Sequence, residues 1–111
     1  MYNRVVLIGR LIADPELRTT PQGVSVTSFR IAVNRPYVNN SNEREADFID
    51  CRAWRANAEF IYKYFTKGKL IGIEGAIRTS NYTDKEGVKK YRVEVLVDRA
   101  FFTESKGSGG A

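Results

Sequence analysis

Residues 47–55, DFIDCRAWR, alternate in character from one position to the next, and a period of two is the mark of a strand. Strand side chains point by turns to opposite faces. Ile49, Cys51 and Ala53 share the face that suits a core, whereas Phe48, Asp50, Arg52 and Trp54 share the other. Two large aromatic rings therefore stand beside an arginine and an aspartate instead of among aliphatic residues. Such a face makes a poor core and a good platform for unstacked bases, because every base offers a π-face and a guanidinium neutralises phosphate. Packing beneath a loop or against a neighbouring subunit produces the same pattern in a single strand.

The pattern repeats, which favours the platform. In residues 24–35 the apolar parity is Phe29, Ile31 and Val33, opposed by Arg30, Ala32 and Asn34. In residues 70–82 Ile71, Ile73 and Ile77 are expected to face inward, with Glu74, Arg78 and Tyr82 outward. In residues 91–97 Tyr91, Val93, Val95 and Val97 oppose Arg92 and Glu94. Residues 3–12 differ, being apolar on both parities (Val5, Leu7, Leu11 and Val6, Ile8, Ile12), so this strand is expected to be covered on both faces, within the domain or at a subunit contact.

Between the strands the punctuation is local. Asp14-Pro15 and Pro21-Gln22-Gly23 separate the first two strands, and residues 34–45 form a loop too polar to be buried. Residues 57–67 are the single helix candidate, with Asn57 as N-cap, Phe60/Tyr64 and Ile61/Phe65 at four-residue spacing, and Gly68 as the stop. Residues 82–88 read as a hairpin tip with Gly87 at positive φ. Gly72 and Gly75 fall inside a strand, where close backbone approach or a barrel bend is the usual reason. Three strands, a helix and two strands match a five-stranded, all-β OB-fold barrel with its helix between the third and fourth strands. A β-sandwich fits five strands and an intervening helix poorly.

The chain of 111 residues makes one domain with one core. No apolar run approaches the roughly 20 residues that span a bilayer and no signal-peptide pattern opens the chain, so no membrane association and a cytoplasmic location are expected. A single cysteine, Cys51, on the core-facing parity reads as a small buried hydrophobe rather than a disulfide or metal ligand. Histidine is absent, no phosphate-cradling glycine motif is present, and Asp14, Glu16, Asp47 and Asp50 form no paired constellation. A non-enzymatic chain without cofactor or metal is expected. The net charge of +5 is a weak pointer to nucleic acid by itself. Position carries more: Arg30, Arg35, Arg52, Arg55 and Arg78 lie in or beside strands with outward aromatics, and Lys85 clusters with Lys89 and Lys90 at one hairpin. These arginines and Lys85 are the candidate phosphate contacts.

Several segments carry a family resemblance: VVLIGRL at 5–11, DPELR at 14–18, FRIAVNR at 29–35, DFIDCRAW at 47–54, Ala58-Glu59, Lys67-Gly68, IEGAIRT at 73–79, Tyr82 and Glu94-Val95. In order and spacing they resemble the bacterial single-stranded-DNA-binding proteins of the replicative type, and the resemblance runs to about Phe102. It implies an OB-fold, a homotetramer, and sequence-tolerant wrapping of single-stranded DNA in DNA replication, repair and recombination. The family's base-stacking aromatics fall on Tyr37, Phe48, Trp54 and Tyr82. Strand parity reaches the last three independently, whereas Tyr37 rests on the resemblance. Family members often carry tryptophan at Tyr37, Phe48 or Tyr82, so weaker stacking is expected here. Many continue into a long tail with an acidic tip that recruits other proteins. This sequence has GSGGA at 107–111 instead, so residues 1–103 are expected to be the DNA-binding domain, 104–111 a flexible remnant, and tail-mediated partners are not expected. The alternatives are an OB-fold subunit devoted to protein contact, and an RNA-binding module.

Overall fold

In the computed structural model the alternating segments fold into strands β1 (Val5–Leu11), β3 (Ser25–Val38), β4 (Arg44–Trp54), β5 (Leu70–Thr83) and β6 (Lys89–Phe101), with α1 (Arg55–Tyr64) between β4 and β5. The structure describes residues 1–38, 40 and 44–103, and only the backbone of Tyr37, Val38 and Arg44; residues 104–111 lie outside it. These five strands close in the order β1-β5-β6-β4-β3, and β3 returns to β1 through the pairs Arg10–Ala32 and Leu11–Ile31. The barrel and the position of its helix are those of an OB-fold. Every neighbouring pair is antiparallel except β4–β6, which joins in parallel through Cys51–Val95 and Arg52–Leu96.

Closure puts the inward parity into one core. Ile31, Cys51, Ala53, Ile71 and Ile73 are buried, and Ile61 of α1 and Phe65 just past its end join them in the same core. Burial pushes the Cys51 thiol up to about 12, with Asp50 and Glu94 adding to the effect. The two strand glycines mark close approach. A Cβ on Gly75 would lie 2.0 Å from the carbonyl oxygen of Leu96, and one on Gly72 2.2 Å from the Phe101 ring.

Four expectations need correction. First, a short additional strand, β2 (Glu16–Thr19), pairs with the start of β3. Its residues are all exposed and show no apolar alternation, so the pairing comes from the backbone, closed by a turn in which Gly23 takes φ 84°. Second, β3 and β4 extend into the polar stretch expected to be a loop, through the pairs Asn34–Ala46 and Val38–Arg44. Ladder hydrogen bonds need no apolar side chains, and Arg35 reinforces this end by binding Glu45 and Asp47.

Third, α1 begins at Arg55, immediately after Trp54, and Asn57 is not its cap. Arg55 adopts the left-handed φ of 58°, which turns the chain straight from strand into helix. Asn57 instead donates its amide to the Asp98 carbonyl oxygen at 2.9 Å, tying α1 to β6. Fourth, Ile77, Val93 and Tyr91 are exposed despite their inward parity. The register of β5–β6 shifts at Glu74/Gly75, β1 pairing stops at Val5–Gly75, and β4 covers β6 only near Val95 and Leu96. Beyond those points the β5–β6 arm has no third strand to pack on among the described residues. Within the single chain Val5 and Leu7 of β1 pack on the core, while Val6 and Ile8 are exposed, so the second face is not covered inside the domain.

Candidate nucleic-acid interface

Register fixes which outward side chains stand side by side. Along β3–β4 the facing pairs are Val26–Trp54, Ser28–Arg52, Arg30–Asp50 and Ala32–Phe48. Phe48 and Trp54 therefore share one face, separated by about 20 Å at the rise of an extended strand. Phe48 is 61% exposed, Trp54 37% and Tyr82 49%. Phe48 stands on the open face opposite only the small Ala32. Trp54 lies lower, in a cleft of about 350 Å³ with Arg18, Arg52 and Arg92. Tyr82 belongs to the β5–β6 arm, and the Arg92 guanidinium sits 5.6 Å from its ring centroid. Arg92 thus joins the arm's aromatic to the cleft beside Trp54. The Tyr37 side chain lies outside the described residues.

The six expected phosphate contacts divide into two groups. Arg30, Arg35 and Arg52 face carboxylates. Arg30 donates from Nε to Asp50 at 2.7 Å, and this bond holds the Arg30 pKa above its ordinary value. Arg35 bridges Asp47 at 2.8 Å and Glu45 at 2.9 Å. Its hydrogen bond holds the Asp47 carboxyl below the usual carboxylate range. Arg52 Nε stands 3.6 Å from Glu94, too far for a hydrogen bond, and is a buried donor left without one among the described residues. Arg55, Arg78 and Lys85 are exposed and form no ion pair among the described residues. Lys85 sits at a hairpin tip stiffened by Asp84, whose carboxylate accepts from the Glu86 and Val88 amides, with Gly87 at φ 82°.

The β3–β4–β6 face is hollowed between these groups. A cleft of about 430 Å³ has Arg30, Arg52 and Arg92 on its walls together with Asp50, Glu94 and Glu16. An apolar cleft of about 420 Å³, lined by Phe48 with Val5, Leu7, Ile77 and Val93, meets it at Asp50 and Glu94. Two basic residues of the site, Arg92 and Arg18, are absent from the candidates drawn from sequence. The outward parity of Arg92 was visible, but its place over Tyr82 depends on the β5–β6 register. Arg18 lies on β2, which left no pattern to read. Among the described residues no three His, Cys, Asp or Glu side chains group so as to hold a metal ion, and no helix is long and apolar enough to cross a membrane.

Exposed rings and guanidinium groups on one barrel face can stack bases and bind phosphate. The chain is similar to known proteins over nearly its whole length. The chain is 51% identical over 110 residues to the single-stranded DNA-binding protein of Oceanobacillus iheyensis, covering 99% of this chain and 68% of that protein. It is 48% identical over 111 residues to single-stranded DNA-binding protein A of Bacillus subtilis, covering 100% of this chain and 64% of the relative. It is 50% identical over 108 residues to single-stranded DNA-binding protein 1 of Staphylococcus aureus strain Mu50, covering 97% and 69%. The chain spans about two thirds of the length of these relatives. With residues 2–103 matching the family's pattern on a closed barrel, the chain belongs to the single-strand binding protein family.

Proposed function

We propose that this protein binds single-stranded DNA without catalysis and with little sequence preference. Bases stack on Phe48, Trp54, Tyr82 and Tyr37, while Arg30, Arg35, Arg52, Arg55, Arg78 and Lys85, joined by Arg92 and Arg18, contact phosphates. The observation that carries this reading is the exposure of Phe48, Trp54 and Tyr82 beside arginines on a barrel whose core lies on the opposite strand parity. Stacking asks only for a π-face, so it tolerates any base sequence. A duplex keeps its bases stacked inside and offers phosphate alone, which favours the single strand.

The working form is a homotetramer, and the exposed Val6 and Ile8 on β1 support association through that strand. Protection of single strands in replication, repair and recombination, in the cytoplasm and at the nucleoid, is the role this activity suits. Competition among single-stranded DNA, duplex DNA and RNA of equal length tests the reading, with light scattering for the assembly. Preferential, salt-sensitive capture of the single DNA strand is expected. Equal affinity for duplex DNA, or insensitivity to salt, refutes the platform, tighter capture of RNA makes the chain an RNA-binding module, and a monomeric mass at micromolar concentration refutes the tetramer.

A further inference from the structure

The 430 Å³ cleft on this face mixes charge in a way that phosphate binding alone does not call for. Arg30 is held by Asp50 at 2.7 Å, and Arg52 faces Glu94 at 3.6 Å. A surface built only to hold a polyanion would leave those cations bare. We propose that Asp50 and Glu94 are internal competitors for phosphate: in the free protein they neutralise Arg30 and Arg52, and single-stranded DNA binds by exchanging a nucleotide phosphate for each carboxylate. This inference rests on the proposed binding of single-stranded DNA and adds what sets its strength.

Both pairs can exchange. The Arg30 and Asp50 side chains are 51% and 43% exposed, and a pair so open to water is weak and readily replaced. At the second pair, where the Arg52 and Glu94 side chains are 31% and 16% exposed, the Arg52 Nε has no hydrogen bond among the described residues, so this donor gains one when a phosphate oxygen reaches it. Arg92, which shares the cleft, forms no ion pair with a carboxylate among the described residues and offers a first foothold beside Tyr82.

Ion counting gives the signature. A phosphate that meets a bare arginine sheds its condensed cation, and the logarithm of affinity falls against the logarithm of salt by about 0.7 per contact on a single strand. A phosphate that displaces a carboxylate sheds the same cation, but the freed carboxylate recruits another. The net release is close to zero, so Arg30 and Arg52 add contacts without adding salt dependence. Affinity stays moderate, and the strand can be given up readily.

The test compares wild type with Asp50→Asn, Glu94→Gln and the double variant, titrating an oligo(dT) strand over a range of salt. Each single variant is expected to steepen the salt slope by about 0.7, and the double variant by about 1.4. Affinity at low salt should rise about three- to tenfold per site, as a pair is released and a nearby negative charge removed. Asp98→Asn makes the same charge change where the partner is Arg4, away from the cleft, and should leave the slope unaltered. Unchanged slopes, or weaker binding in Asp50→Asn, overturn the proposal, because the carboxylates then position the arginines or touch the DNA themselves. Should Glu94→Gln misfold, the exposed Asp50 variant decides alone. A wild type that binds no single strand defeats the functional reading instead.

Discussion

Replacing Trp54 with alanine should separate binding from folding, and the structure bounds both effects. Stacking a base on an aromatic ring is worth about 1–3 kcal/mol, so removal of the ring should weaken single-strand binding by roughly 5- to 150-fold. The ring is 37% exposed, so part of its surface is packed against Val26 and the cleft wall and contributes to stability. Taking about 250 Å² for a tryptophan side chain and about 25 cal/mol per Å² gives at most about 4 kcal/mol for the covered part, an upper bound. That is a sizeable fraction of the 5–15 kcal/mol typical of a domain but does not exceed it. Trp54→Ala should therefore fold, with a lower melting temperature, because the core runs through Ile49, Cys51 and Ala53 on the opposite parity. Trp54→Phe should recover most of the stability and part of the affinity. Circular dichroism melts alongside fluorescence anisotropy of a labelled oligonucleotide read the two quantities separately. Since Trp54 is the only tryptophan, its intrinsic emission should fall when a base covers it. Unchanged emission at saturating DNA, together with an unfolded Trp54→Ala, would make Trp54 a packing residue and remove it from the platform.

Other outcomes follow from single contacts. Gly75→Val should destabilise by more than about 3 kcal/mol, because its Cβ would meet the Leu96 carbonyl at 2.0 Å and β5 would have to leave β6; a chemical denaturation midpoint close to wild type refutes this. Arg55→Gly should be more stable than Arg55→Ala by about 1 kcal/mol, since only glycine accepts φ 58° without strain, while both should lower the salt slope by about 0.7. Equal melting temperatures for the two variants refute the strain, and an unaltered slope refutes the phosphate contact. Cys51, buried and with its pKa raised from 9.0 to about 12, should resist alkylation in the native state at pH 8 and react promptly in urea. A raised folded pKa means that this thiol's contribution to stability is complete below pH 9 and is lost as pH climbs toward 12, so Cys51→Ala should show a shallower alkaline loss than wild type in pH-dependent denaturation.

Much of this architecture was legible before any coordinates because period two is a property of the extended backbone itself. The parity of 47–55 separated Cys51 and Ala53, which are buried, from Phe48 and Trp54, which are exposed. Gly87 announced its positive φ because a tight turn is decided within a few residues. Parity, however, states only the direction of a side chain and not what meets it. Ile77 and Val93 point the same way as Ile73 and Val95, yet they are exposed because, among the described residues, no third strand reaches the β5–β6 arm. The backbone pairing of β2, the helix that starts at Arg55 and the position of Arg92 over Tyr82 likewise come from partners distant in sequence. So do the carboxylates beside Arg30 and Arg52: each charge was visible in the chain, but its partner was chosen by the β3–β4 and β4–β6 registers. Register is set by the packing of the whole barrel, and a one-residue slip would exchange every neighbour, so local sequence names the groups on this face and only closure decides which of them touch.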